Sequence, residues 1–256
     1  MSIVAARRGA SERLAGSDRP GTTALSGPLR ASALAAGRML QLYARIVGKR
    51  ARCRWTDSRG RVLSDEDLLG AFGCLGGTAP AIVVYWIRDA MAVVALPYAR
   101  PAFRRIVEHI RLLPDDTISG RACAAYFQNI GGQFHLLALP GDHDRLRQLA
   151  KIIREPISCA FPVDGGGPYG RVGTGLVGLA AAIGARIVPI SVWATPAIIA
   201  APRSRVRIPL PSCRLVGVVA DEIVVDRHSN RRLVAEQVRE SLNNLGEIAR
   251  TSSRDV

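Results

Sequence analysis

A glycine-rich loop between two apolar runs, in residues 157–192, is the feature that most constrains how this chain can fold. Residues 157–163 are apolar and of strand length, and Asp164 and three consecutive glycines follow them. A helix-like segment, residues 175–183, leads into a second apolar run, residues 186–192. The order strand, loop, helix and strand is typical of the βαβ unit of a parallel sheet.

The loop is suited to binding an anion. Because glycine has no side chain, a ligand can approach the backbone N–H groups closely, and the helix dipole favours negative charge at the helix start. The candidate binding residues are Asp164, Gly165, Gly166, Gly167 and Arg171. The alternative, that the glycines only form a permissive turn, stays open on these residues alone. Nucleotide binding is the weaker interpretation, because the loop end lacks the Lys and the Ser or Thr of a P-loop.

Strand and helix patterns alternate along most of the chain. Apolar, β-rich runs at residues 81–86 and 134–139 are separated by amphipathic helix patterns. The alternation predicts an α/β fold with a mostly parallel central sheet flanked by helices. Residues 1–30 are rich in Ser, Gly, Ala, Arg and Pro without a period, which predicts a disordered tail before a single domain over residues 31–250.

The chain is strongly basic, with 35 Lys and Arg against 21 Asp and Glu and a formal net charge of +14. Such a charge attracts anionic membranes or nucleic acid, although Arg codon usage in a GC-rich genome gives the same composition. Nucleic acid is not expected as a partner, because aromatic residues make up only 5% and do not alternate with basic ones. Residues 32–48 fit either an interfacial helix on anionic lipid or a helix packed on the sheet.

Cysteine spacing and hydropathy bear on location. The five cysteines are widely spaced and form no metal-binding pair with another Cys or a His, so we expect small buried residues, a reducing compartment and no metal site. We see neither an apolar run long enough to span a membrane nor a signal peptide. The expected location is cytoplasmic, with peripheral contact at an anionic inner leaflet as a further expectation.

Several motifs within residues 161–211 carry a family resemblance. They are Asp164-Gly165, Arg171-Val172, the helix start at Gly175 and the strand IVPISV at residues 187–192. Together they resemble the lysophospholipid-acyltransferase-like family of the glycerolphosphate acyltransferase superfamily. The resemblance implies transfer of a fatty acyl group from a thioester donor, acyl-CoA or acyl-carrier protein, to a lysophospholipid or similar amphiphilic acceptor. It implies no other cofactor, and it assigns the glycine loop to the acceptor phosphate or headgroup.

The catalytic motif of that family, H-x4-D after an early strand, is incomplete in this chain. The His removes a proton from the acceptor hydroxyl and the Asp orients it. In this sequence the matching strand is followed by Ile87 where the His is expected, and an isoleucine cannot accept a proton. The resemblance therefore describes a divergent member of the family.

Two residues are weak candidates for a substitute base. Asp89 follows the same strand, although Arg88 beside it is expected to lower its pKa. His143 starts a helix pattern beside two carboxylates. Both residues also fit an ordinary helix start. The alternative to an enzyme is a catalytically inactive relative that binds lipid or an acyl carrier, or that scaffolds a partner enzyme.

Overall fold

A computed structural model provides the coordinates, and the residues that it describes are 27–76, 79–137, 151, 157–165, 169–200 and 204–254. Residues 33–256 form one compact unit that contains the sheet, and residues 1–32 form another. The predicted disordered tail lies outside the described residues up to residue 26, and a helix begins at Gly27.

Seven strands form one sheet within the described part of the chain. They are β1 (Arg52–Asp57), β2 (Ala81–Tyr85), β3 (Arg111–Leu112), β4 (Gln133–Phe134), β5 (Cys159–Pro162), β6 (Arg186–Ala200) and β7 (Val206–Val219). Their order is β1-β7-β6-β2-β5-β3-β4. Every neighbouring pair is parallel except β6 and β7, which are antiparallel. The predicted α/β class with a mostly parallel sheet is confirmed.

Seven α-helices accompany these strands in the described residues. They are α1 (Gly27–Arg50), α2 (Asp65–Ala71), α3 (Ala90–Ala99), α4 (Pro101–His109), α5 (Ile118–Asn129), α6 (Thr174–Ile183) and α7 (Arg231–Ser252). A short 3₁₀ turn, Ile87–Asp89, links β2 to α3. Local sequence explains the helix starts: Ser64 caps α2 in a reciprocal capping box with Asp67, and Pro101 opens α4.

The central strand β2 divides the core into two layers. Side chains alternate along a strand, so Val83 and Tyr85 face the layer that contains α2, α3 and α4. Ile82 and Val84 face the opposite layer, which contains α6 and α7. All five residues of β2 are buried, as expected for a strand covered by helices on both faces.

The predicted βαβ unit is present, with one strand inserted in it. The crossover β5–α6–β6 joins two strands that both pair in parallel with β2, which lies between them. Strand β6 extends well beyond the predicted residues 186–192, because its second half pairs with β7. Since β2 and β5 are parallel neighbours, the 3₁₀ turn and the glycine loop leave the sheet at the same edge.

Candidate functional site

The carboxylate of Asp164 joins the end of β2 to the glycine loop. Its Oδ1 accepts a hydrogen bond from the backbone N–H of Ile87 at 2.7 Å, and its Oδ2 accepts one from the N–H of Gly170 at 3.0 Å. Asp164 is only 6% exposed. Gly170 has φ +75°, a conformation that a residue with a side chain rarely adopts. Asp164 therefore ties Gly170, at the end of the loop, to Ile87, the second residue after β2.

An open groove of about 480 Å³ lies where the end of the glycine loop meets α7. The loop and the start of α6 form one wall of the groove, and α7 forms the other. The lining residues are Tyr169, Gly170, Arg171, Val172, Thr174, Arg232, Ala235, Glu236 and Arg239. The α7 residues of this set recur at a spacing of three or four, so they share one helix face.

The groove is electropositive. Its lining includes three arginines and one glutamate, and Glu236 is paired with Arg239, whose hydrogen bond lowers the pKa of that carboxyl. Arg171 and Arg232 have no carboxylate partner among the described residues. Thr174 places the first turn of α6 at the groove, and the preceding residue, Gly173, supplies no capping side chain. Two unpaired guanidinium groups and an uncapped helix start favour an anionic ligand.

Of the predicted anion-binding residues that the structure describes, Arg171 is the one that lines this groove. The side chain of Asp164 points to the two backbone amides described above. Gly165 lies in the turn after Asp164, close to Pro162. Gly166 and Gly167 lie outside the described residues. Assignment of all five to a headgroup site stays a prediction.

Ile87 is linked to the groove through the carboxylate of Asp164. Its N–H and the N–H of the groove residue Gly170 bind the two oxygens of Asp164. The residue five positions after Ile87 is Ala92, which is 1% exposed in α3. Neither Ile87 nor Ala92 has a side chain that can bind a proton.

Asp89 is buried and already hydrogen-bonded. It is 2% exposed, and its Oδ2 accepts a hydrogen bond from the Ser191 hydroxyl at 2.8 Å and a longer one from the Val192 N–H at 3.4 Å. Arg88 lowers the pKa of Asp89 as expected, but burial raises it by more, so the pKa lies above its ordinary value. The carboxyl faces β6, not open solvent. Its assignment as a base remains untested.

Charged residues cluster around the buried Asp89, and the sequence alone contains little sign of this cluster. The Nε of Arg88 lies 3.8 Å from the Asp89 Oδ1, and the Arg88 guanidinium packs against Gly246 of α7. Arg207 stacks over Trp193 with 3.3 Å from its guanidinium carbon to the ring centroid, and burial lowers the pKa of Arg207 to about 10. The only early signal was the adjacency of Arg88 and Asp89.

Histidine is not found in the groove lining. His143 and its predicted helix lie outside the described residues. His109 ends α4, where its Nδ1 is 2.8 Å from the Arg105 carbonyl oxygen, just before β3 and so at the opposite edge of the sheet.

In the described part of the chain, no three His, Cys, Asp or Glu side chains are grouped to hold a metal ion. No described helix is both long and apolar enough to cross a bilayer.

Sequence reasoning missed the half of the groove that α7 supplies. Arg232 and Arg239 are seven residues apart, two helical turns, which places them on the same face. The spacing predicts that the two arginines share a helix face, but it does not indicate which part of the chain this face contacts.

Comparison with known proteins gives likenesses among solved structures. No model of a known protein family matches the chain, and no curated protein matches it. Among solved structures, the chain is similar to the crystal structure of the 1-acyl-sn-glycerophosphate (LPA) acyltransferase PlsC from Thermotoga maritima. The TM-score is 0.48 at 13% sequence identity, over 83% of this chain and 81% of that chain. No residue role or substrate follows from a likeness at this level.

Proposed function

We propose that this is an acyltransferase-like protein that binds the phosphate-bearing headgroup of a lysophospholipid or similar amphiphile in the basic groove. In this proposal it acts as a catalytically inactive relative and not as a histidine-dependent acyltransferase. Acyl-CoA or acyl-carrier protein would be a second ligand, and the location would be cytoplasmic with peripheral contact at an anionic membrane. The observation that carries the proposal is the groove itself, which is lined by Thr174 of the first turn of α6 and by two arginines that have no carboxylate partner among the described residues.

The groove matches a phosphate monoester or diester by charge. Arg171 comes from the loop and Arg232 from α7, so a phosphate between them would receive hydrogen bonds from two sides. Hydrogen bonds between a guanidinium group and a phosphate are charge-assisted and stronger than neutral ones. The half-exposed ring of Tyr169 in the same wall offers apolar surface to the first carbons of a lipid chain.

The residues beside the groove support the proposed absence of acyl-transfer activity, because they supply no catalytic base. General-base catalysis needs a proton acceptor within hydrogen-bond reach of the acceptor hydroxyl. Ile87 and Ala92 stand at the two positions of the family's base and its orienting acid, and neither side chain can bind a proton. The nearest acid on the same segment, Asp89, is buried against Ser191.

Binding is tested by isothermal titration with monomeric lysophosphatidic acid and with the monoacylglycerol of the same chain, which lacks only the phosphate. We expect measurable affinity for the phosphate-bearing ligand alone. Arg171→Ala and Arg232→Ala should each weaken it about tenfold, the usual effect of losing one charge-assisted contact at an exposed site. Arg104→Ala, an exposed arginine on α4, is the matched control and should bind as the unchanged protein does.

Acyl transfer is tested by supplying acyl-CoA or acyl-carrier protein with the lysophospholipid and measuring ester product. We expect none. Ester formation that disappears in Asp89→Asn or His143→Ala would overturn the inactive assignment and identify a base. Equal affinity for the phosphate-bearing and phosphate-free ligands would remove the groove as the headgroup site.

A further inference from the structure

A two-stranded arm extends beyond the sheet. Strand β6 pairs with β2 only up to Pro189, and β7 pairs with β1 only from Arg214. Residues 197–200 and 206–209, further along the hairpin, pair only with each other in the described strands. The arm is thus a ribbon with no third strand beside it.

Large apolar side chains are exposed on this arm. Ile198 and Ile199 are 57% and 67% exposed. Because consecutive residues of a strand point to opposite faces, both faces of the arm carry one exposed isoleucine. Because both of its faces carry an apolar side chain, the arm is better suited to enter an environment that surrounds it than to contact a flat protein surface on one side.

The outward face of α1 adds a second exposed apolar region beside the arm. The Tyr43 hydroxyl of α1 donates a hydrogen bond to the carbonyl of Pro209 in β7 at 2.9 Å, and Pro209 pairs with Ala197, the neighbour of Ile198. The exposed apolar residues of α1 are Leu34, Met39, Leu42 and Ile46, each at least 42% exposed. The opposite face of α1 is fixed to the body, since Gly48 lies directly against Ala95 and Tyr98 of α3.

Charge distinguishes which partner this surface fits. No Asp or Glu occurs in residues 19–56 or in residues 165–220, the two stretches that contain α1 and the arm. Exposed basic residues lie among the apolar side chains of α1: Arg38, Arg45, Lys49 and Arg50. A second copy of the chain would bring the same positive surface against itself, which like-charge repulsion disfavours. Nucleic acid would leave six exposed aliphatic side chains against phosphates.

We infer that the arm and the outward face of α1 together form a docking surface for an anionic lipid bilayer. The basic side chains contact lipid phosphates, while the aliphatic side chains of the arm and of α1 enter the boundary between headgroups and acyl chains. This inference rests on the proposed function, which includes peripheral membrane contact, and assigns the surface that makes that contact. It concerns residues outside the groove, so the two are tested separately.

The test is sedimentation of the full-length protein with vesicles of equal parts phosphatidylglycerol and phosphatidylcholine, and with phosphatidylcholine vesicles alone. We expect binding to the anionic vesicles that falls with added salt, because screening shortens the reach of surface charge. The double substitution Ile198→Ser/Ile199→Ser should weaken this binding by roughly tenfold or more. Met39→Ser/Leu42→Ser on α1 should act in the same direction.

Val224→Ser is the matched control. Val224 is the most exposed of the large apolar side chains in the described residues, at 75%. It follows Ile223, which pairs with Ile187 at the start of β6, about 40 Å along that strand from the arm. This variant should bind vesicles as the unchanged protein does. Circular dichroism and the urea midpoint of each variant establish that it is folded.

Three results would overturn the inference: equal binding to anionic and neutral vesicles, vesicle binding by both double variants equal to that of the unchanged protein, or a concentration-dependent dimer that Ile198→Ser/Ile199→Ser dissolves. The vesicles contain no lysolipid, and titration with monomeric lysophosphatidic acid should be unaffected in the arm variants. Loss of lysolipid binding in Arg171→Ala with vesicle binding retained would therefore bear on the groove alone.

Discussion

The carboxylate of Asp164 offers the sharpest test of how the site is held. Asp164→Asn keeps the shape of the side chain but leaves one oxygen where two oxygens accept the N–H groups of Ile87 and Gly170. Whichever way the amide is turned, its NH₂ group faces a backbone N–H. One charge-assisted hydrogen bond to a backbone N–H is lost. The introduced NH₂ group is also a buried donor without a partner, and each of these two changes costs about 1.5 kcal/mol or more. We expect the free energy of unfolding to fall by about 3 kcal/mol.

Urea unfolding followed by circular dichroism measures this loss as a lower midpoint at an unchanged slope. Hydrogen exchange adds a local readout, because the amides of Ile87 and Gly170 should lose protection before those of β2 do. Asp226→Asn is the matched control: its carboxylate also accepts a backbone N–H, from His228 at 2.8 Å, but it is exposed to water. Water replaces the lost acceptor there, so the midpoint should move far less.

A stability of Asp164→Asn within about 0.5 kcal/mol of the unchanged protein would refute this account, since losing one charge-assisted hydrogen bond at a buried side chain should cost more than that. Faster exchange at other amides, with Ile87 and Gly170 still protected, would show that the link runs through different groups.

Three further predictions concern the body of the fold. Burial raises the pKa of Asp89, so its ionisation opposes folding: stability from this group is present below its unfolded pKa of about 3.9 and is lost as the pH rises through the folded pKa. Asp89→Asn should therefore gain stability relative to the unchanged protein as the pH rises above about 4, and a difference independent of pH would contradict this. Gly217→Ala should destabilise by about 3 kcal/mol in urea unfolding, because the new methyl group would overlap the ring of Trp55; an unchanged midpoint would show that Trp55 can move. Ser64→Ala removes the cap of α2 and should cost about 1 kcal/mol, measured in the same way, and an unchanged midpoint would contradict this.

The sheet and the main crossover were predictable because their signals are local. The apolar run before Asp164, the glycines after it and the periodic segment before Gly184 lie within thirty residues, and the structure has a strand, a turn and α6 there. Gly184 ends α6 with φ +63°, as expected for a glycine C-cap. Neighbouring residues decide such features, so the sequence reports them directly.

Long-range features were not predictable in the same way. Nothing near Asp164 indicates that its carboxylate binds the N–H of Ile87, 77 positions earlier. The burial of Asp89 against Ser191 depends on β6 continuing past the end of β2, and the sequence of β2 does not show this. The groove needs α7 to meet the loop, so the contribution of Arg232 and Arg239 is visible only in the folded chain.

The pairing of the first strand with the last has a consequence for biosynthesis. Strand β1 has β7 as its only neighbour in the described sheet, and the indole of Trp55 is covered by Gly217. During translation, β1 leaves the ribosome about 160 codons before its partner does, since Arg52 pairs with Arg214. Through that interval a nascent chain exposes an unpaired edge and a bare tryptophan, the kind of surface that chaperones recognise. A ribosome stalled before codon 217 would leave a product that cannot complete its own core.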